Sequence, residues 1–202
     1  MALSKNIFKY FPQPVFHYKL DDYKKHNAEL SKYIYNLHKL DPEGVARSNQ
    51  GGWHSKPFNL KEKESAPFKF FLSIQKYVAD TFKEYGWKYI PGKVNLTEMW
   101  AIINKKNNFN LEHTHPNNYL SAAYYVKAPE NCGSFKVTNP NLISKERVTI
   151  SDRKTELNQN IAHIKPNEGD LLLFPAYLPH SVGINESDED RIVISFNIDI
   201  LK

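Results

Sequence analysis

Apolar positions along this chain change their rhythm near residue 93. Before that point two stretches repeat at three- and four-residue steps: Tyr23, Asn27, Leu30, Ile34 and Leu37, then Phe68, Phe71, Leu72, Val78, Phe82 and Tyr85. This spacing matches one face of an α-helix and predicts two amphipathic helices. Asp21 and Asp22 stand where a helix start favours acids, and Pro67 suits the first turn of the second helix. Between the helices, the segment RSNQGGWHS is rich in turn formers and reads as a polar linker, too polar for a strand.

After residue 93 the texture becomes short apolar runs broken by turn residues. Strands are predicted at 94–104, 111–115, 119–127, 134–138, 147–150, 160–164, 170–174 and 190–200. Such strands following two helices predict a mainly β fold of the α+β kind: a β-sandwich or barrel with the helices outside one sheet. A length of 202 residues suits one domain, 1–202, with 1–93 as a helical support and 94–202 as the β core.

The last strand refines this picture. Ile192, Ile194, Phe196 and Ile198 alternate with Arg191, Val193, Ser195 and Asn197. One reading is an amphipathic strand with its polar face in solvent. The other packs the isoleucines on the helices and turns Arg191 inward, where it could bind a carboxylate bidentately. The strand at 119–127 divides the same way, with Leu120, Ala122, Tyr124 and Val126 on one face and Ser121, Ala123 and Tyr125 on the other. The inverted reading predicts that both helices pack on the sheet holding the last strand and support the site without lining it.

Composition narrows the function classes. Lys plus Arg number 27 and Asp plus Glu 22, a net charge of +5. That excess could attract an anionic ligand but is too small and scattered to imply nucleic acid. No apolar run reaches the roughly 18 residues needed to span a bilayer, and the first residues lack the pattern of a secretory signal. The single cysteine, Cys132, excludes an internal disulfide and a Cys-rich zinc site. A cytoplasmic protein is expected, or one of a host cell's cytoplasm if phage-encoded.

Candidate chemistry lies in the histidines. His113 and His115 are two apart, so on an extended strand both imidazoles reach one point. Such a pair is half of a metal site, since neutral imidazole suits iron, zinc, copper and nickel. His180 follows an apolar run and a turn containing Pro175 and Pro179, a place from which a third ligand could enter. His17, His26, His38, His54 and His163 lack comparable context.

The order H-T-H-P, S-A-A-Y-Y-V, G-S-F-K-V-T-N-P, G-D-L-L-L-F-P-A-Y-L-P-H-S-V and R-I-V-I-S-F-N resembles the iron(II)- and 2-oxoglutarate-dependent oxygenases. It is most similar to their prolyl-hydroxylase-like branch, in a group found in bacteria and phages. The resemblance covers residues 94–200, and S-N-Q-G-G-W-H-S also looks like that group. It implies a double-stranded β-helix (jelly roll) using Fe(II), 2-oxoglutarate and O2 to hydroxylate a C–H bond, with release of succinate and CO2. In that family the metal sits on a His-x-Asp/Glu pair at the start of one strand and a distal His near the end of another. By resemblance, His113 is the first ligand and His180 the distal one. Arg191 pairs with the far carboxylate of 2-oxoglutarate, Tyr125 bonds the same carboxylate, and Asn104 lines the cosubstrate pocket.

One departure from the family pattern is His115, which stands where most members carry a carboxylate. Either three histidines hold the iron, or Glu112 or Asn117 takes the place, or only His115 and His180 bind. Two other readings stay open: a three-histidine cupin-type enzyme such as a thiol dioxygenase, which does not use 2-oxoglutarate, and a non-catalytic jelly-roll module binding a metal or ligand. A small-molecule or peptidyl substrate is expected, with no nucleic acid or membrane partner and with scope for a homo-oligomer.

Overall fold

The computed structural model describes residues 6–141, 143 and 150–201. The chain runs β1 (Phe16–Lys19), α1 (Tyr23–Leu40), β2 (Asn49–Gln50), β3 (Trp53–His54) and α2 (Ala66–Glu84) before the β-rich part begins. There follow β4 (Val94–Asn104), β5 (Phe109–His113), β6 (Leu120–Lys127), β7 (Phe135–Thr138), β8 (Ile161–Ile164), β9 (Asp170–Pro175), β10 (His180–Val182) and β11 (Arg191–Ile200). Residues 147–149 of the strand expected at 147–150 lie outside the described residues.

Two antiparallel sheets result. One has the order β1-β9-β6-β11-β4-β3 and the other β2-β5-β10-β7-β8. This is the double-stranded β-helix that the resemblance implied, with two helices added. The first sheet is covered on both faces, which explains why β6 and β9 are buried almost throughout. In β9, Leu171 and Leu173 join the helix-side core, while Leu172 and Phe174 join the core between the sheets. Burial on both sides turns an alternating strand into a continuous apolar run.

The inverted reading of β11 holds. Ile192, Ile194, Phe196 and Ile198 pack with Leu30 and Ile34 of α1 and Phe70, Ile74 and Phe82 of α2. Each such side chain removed from water contributes about 1.5–3 kcal/mol. A polar bond fastens the same layer, since the buried Tyr124 hydroxyl donates to Asn27 Oδ1 at 2.6 Å. Helix α2 starts at Ser65, whose Oγ accepts from the Phe68 amide at 3.3 Å, with Pro67 in its first turn.

Several expectations need correction. The buried stripe of α2 runs through Phe70, Ile74, Tyr77, Val78 and Phe82, whereas Leu72 is exposed. Neighbouring phenylalanines made two stripes nearly equivalent by periodicity, and the sheet selected one. Asp22 gives α1 no side-chain cap, and Asp21 instead pairs with Lys76 of α2. The linker RSNQGGWHS is no mere turn: Asn49–Gln50 pairs with β5 and Trp53–His54 pairs with β4. Two-residue strands carry no periodicity, so only pairing partners reveal them. The N-terminal region is therefore more than a helical support, because β1, β2 and β3 add to sheet edges.

Removal of residues 1–92 would expose the Ile192–Ile198 face and strip an edge strand from both ends of the first sheet. The fragment 93–202 is expected to be insoluble or to lack a cooperative thermal transition. A soluble fragment with a sharp transition would show that the β core stands alone.

Candidate metal and cosubstrate site

Between the sheets lies a cavity of about 700 Å³ whose wall includes His113, His115, His180, Asn104, Tyr125 and Arg191. Strand pairing explains why these positions meet. His113 closes β5 and His180 opens β10, and the two are direct cross-strand partners. The family pattern placed the pair at a strand start and the distal histidine near a strand end; here the order is reversed. His115 lies just beyond β5, where its amide donates to the Ala176 carbonyl at 2.8 Å, in the turn that leads to His180.

The three imidazoles each offer one nitrogen to a cluster whose atoms lie within 4.8 Å of one another. His115 Nε2 and His180 Nε2 are 3.3 Å apart. Two nitrogens at about 2.0–2.1 Å from a shared ion would stand roughly 3 Å apart, so the spacing suits a metal. The Nδ1 atoms of His113 and His180 face the carbonyls of Leu111 (2.7 Å) and Leu178 (2.9 Å). Donation there leaves Nε2 with its lone pair toward the cluster. Glu112 points elsewhere, its carboxylate accepting from the Thr138 hydroxyl. Asn117 lines the same cavity with φ 64°.

Deeper in the cavity, Arg191 is fully buried. Its Nη1 donates to the carbonyls of Cys132 and, at 2.8 Å, Gly183. Gly133 makes that clamp possible: at φ +85°, a Cβ there would sit 2.4 Å from the Gly183 oxygen. Among the described residues no carboxylate pairs with this guanidinium, and its Nε and Nη2 have no partner. The Tyr125 hydroxyl and both amide atoms of Asn104 are likewise buried and unpartnered. Asn104 is the cross-strand partner of Arg191, and Tyr125 that of Val193. Burial lowers the pKa of Arg191 from its ordinary value and raises that of Tyr125. A cation and several polar atoms left unpaired at this depth would be costly, and an anion with oxygen acceptors is the chemical complement.

Sequence reasoning passed over two residues of the wall. His54, dismissed for lack of context, is buried there, and Trp100 lies parallel to it with ring centroids 5.5 Å apart. The inward period of β4 (Glu98, Trp100, Ile102, Asn104) could have flagged Trp100, since Asn104 was already a candidate. His54 needed the β3–β4 pairing. Because Arg47, Ser48, His54 and Ser55 also line the cavity, the N-terminal region contributes to the site as well as supporting it.

Desolvation lowers the pKa of all three clustered histidines, to about 4 for His115 and about 3 for His180, with repulsion from His113 adding to both. In the unfolded chain they return to about 6.5. Between those values the unfolded state binds more protons, so stability falls as pH drops below about 6.5 and keeps falling toward 4. The thermal midpoint of the metal-free protein is expected to decline across that window, less steeply in His180→Gln. A midpoint independent of pH would mean that the rings are well hydrated.

Comparison with known proteins places this geometry. Residues 98–197 match the family model described as "Putative 2OG-Fe(II) oxygenase". No curated protein matches the chain. Among solved structures, a prolyl-4-hydroxylase of Pseudomonas putida is similar at TM-score 0.63 and 11% identity, covering 94% of each chain. HygX of Streptomyces hygroscopicus, with nickel and 2-oxoglutarate bound, is similar at TM-score 0.65 and 11% identity, over 93% of this chain and 83% of that one. A Trichoplax adhaerens prolyl hydroxylase in complex with a hypoxia inducible factor peptide fragment gives TM-score 0.61 and 14% identity, over 92% and 83%. At such identities the structures establish the shared fold. Among the described residues no helix is long and apolar enough to cross a membrane. The family match, the fold and the clustered histidines agree, and residues 98–197 carry the pattern of the iron(II)- and 2-oxoglutarate-dependent oxygenases.

Proposed function

We propose that His113, His115 and His180 hold the iron, that Arg191, Tyr125 and Asn104 hold 2-oxoglutarate, and that the enzyme hydroxylates a C–H bond of a small-molecule or peptidyl substrate. The observation that carries this reading is Arg191: a fully buried guanidinium with two unpartnered nitrogens and, among the described residues, no paired carboxylate, in the same cavity as the histidine cluster. Its Nε–Nη2 edge is a fork suited to one carboxylate, and Nη1 is already committed to two carbonyls that fix the fork's direction. Tyr125 offers a hydroxyl that stays protonated, hence a donor, and the Asn104 amide offers both a donor and an acceptor.

The metal end fits as well. Three neutral imidazoles suit iron, and their low pKa values leave no proton to displace at neutral pH. Because no carboxylate joins the cluster among the described residues, the double charge of an ion held there would be offset only by what binds beside it. When bound, iron and 2-oxoglutarate supply the oxidative chemistry, with O2 consumed and succinate and CO2 released. The chain's own part is to orient the cosubstrate between a cationic floor and the histidines, and to exclude water with Val193, Phe174 and Phe135 in the wall.

Structural neighbours support both substrate types, since one holds a peptide fragment and HygX has been seen with hygromycin B. A single buried thiol accords with a reducing cytoplasm.

Succinate release from 2-oxoglutarate with added iron(II) tests the reading; a chain that binds iron without releasing succinate would favour the three-histidine enzyme that does not use 2-oxoglutarate. Arg191→Ala is expected to cost about 2–5 kcal/mol, raising the apparent constant for 2-oxoglutarate at least about thirtyfold and leaving Mn(II) affinity nearly unchanged. An unaltered constant would remove Arg191 from the cosubstrate site.

A further inference from the structure

Two of the three clustered imidazoles are oriented by the same device, and the third is not. His113 and His180 each use Nδ1 on the carbonyl two residues back, Leu111 and Leu178. A bond of this kind fixes tautomer and ring angle, and metal-bound histidines almost always have one. Among the described residues, no hydrogen bond reaches Nδ1 of His115. An imidazole without such a bond is free to turn about its last torsion, and most of its orientations aim the lone pair away from a shared ion.

Ring contacts take the place of the missing bond. The His115 ring stacks on that of His180, with centroids 5.1 Å apart and planes at 11°. It also meets the Trp100 indole, with centroids 5.8 Å apart and planes at 32°. Trp100 in turn lies parallel to His54, at 5.5 Å and 13°. Both Trp100 and His54 are buried, at 7% and 9% exposure, so this wall has little room to shift. His54 is itself fixed twice, by Nδ1 on the Ser55 carbonyl at 2.7 Å and by pairing of β3 with β4. Ser55 tightens that pairing, exchanging 2.9 Å bonds with both the amide and the carbonyl of Ala101.

We propose that Trp100, backed by His54, is the positioning residue for His115, packing the third imidazole into the orientation that a hydrogen bond gives the other two. The inference rests on the reading of His115 as a metal ligand. It also gives a role to the W-H-S end of the segment between the helices: that end supplies the ring on which Trp100 rests. A flat, wide indole suits this task, because it blocks ring rotation over an area that an aliphatic side chain of similar volume would not.

The test measures Mn(II) affinity of the full chain, with the thermal midpoint of the metal-free protein followed alongside. Trp100→Leu is expected to weaken Mn(II) about ten- to a hundredfold, and Trp100→Phe, which keeps a ring in place, to recover most of that loss. In a His115→Ala background, Trp100→Leu should cause no further loss, since its effect passes through His115. Equal losses in both backgrounds, or undiminished affinity in Trp100→Leu, would overturn the proposal. If His115→Ala alone binds Mn(II) as tightly as the unaltered chain, the three-histidine reading itself fails, a result distinct from failure of Trp100. Should Trp100→Leu not fold, His54→Ala substitutes for it. A smaller loss, again confined to chains that retain His115, is then expected, and no loss would overturn the proposal.

Discussion

Arg191 is a buried positive charge with, among the described residues, no carboxylate beside it, and much of the architecture can be read as making that arrangement tolerable. Two carbonyls from separate loops, Cys132 and Gly183, accept from its Nη1, and the glycine at 133 lets those loops come together. An isolated buried cation without such support would cost several kcal/mol or lose its charge. Keeping the remaining guanidinium edge unsatisfied preserves a socket for an anion. The socket's other atoms, on Tyr125 and Asn104, come from the two strands that flank β11.

That inward charge has a consequence on the other side of the same strand. Side chains alternate across a sheet, so turning Arg191 inward commits Ile192, Ile194, Phe196 and Ile198 to the outer face. The outer face would be exposed without α1 and α2. The helices are thus coupled energetically to the pocket around Arg191 although neither one lines it. Tyr124, on the outward face of β6, joins Asn27 of α1, while its neighbour Tyr125 faces the cavity. Adjacent residues of one strand therefore serve packing and chemistry separately.

The histidine cluster follows a different logic. Cross-strand pairing sets His113 opposite His180, backbone carbonyls aim those two rings, and neighbouring rings aim His115. Desolvation keeps all three neutral and ready to coordinate. A neutral imidazole at 115, where the resemblance implies a carboxylate, adds no negative charge to the cluster, so an ion held there would attract an anion more strongly.

Most of this was readable from residue order alone. Alternation in β11 and β6 identified which side chains share a face, because a period of two is a local property of any extended chain. Which face turns inward stayed open on that pattern and was decided by the helices packed on the isoleucines. The turn-flanked His180 and the H-x-H pair marked the cluster, and helical periodicity located α1 and α2. Tertiary structure decided the rest. Between equivalent apolar stripes on α2, contact with the sheet chose Phe70 and Ile74 over Leu72. Asn49–Gln50 and Trp53–His54 became strands only because β5 and β4 offered them partners. His54 sat in a polar segment with nothing local to distinguish it, and its place beside Trp100 depends on residues nearly fifty positions away. Local periodicity fixes which side chains share a face; which way that face turns and which other side chains it meets depend on long-range packing and pairing, to which local patterns in the sequence are blind.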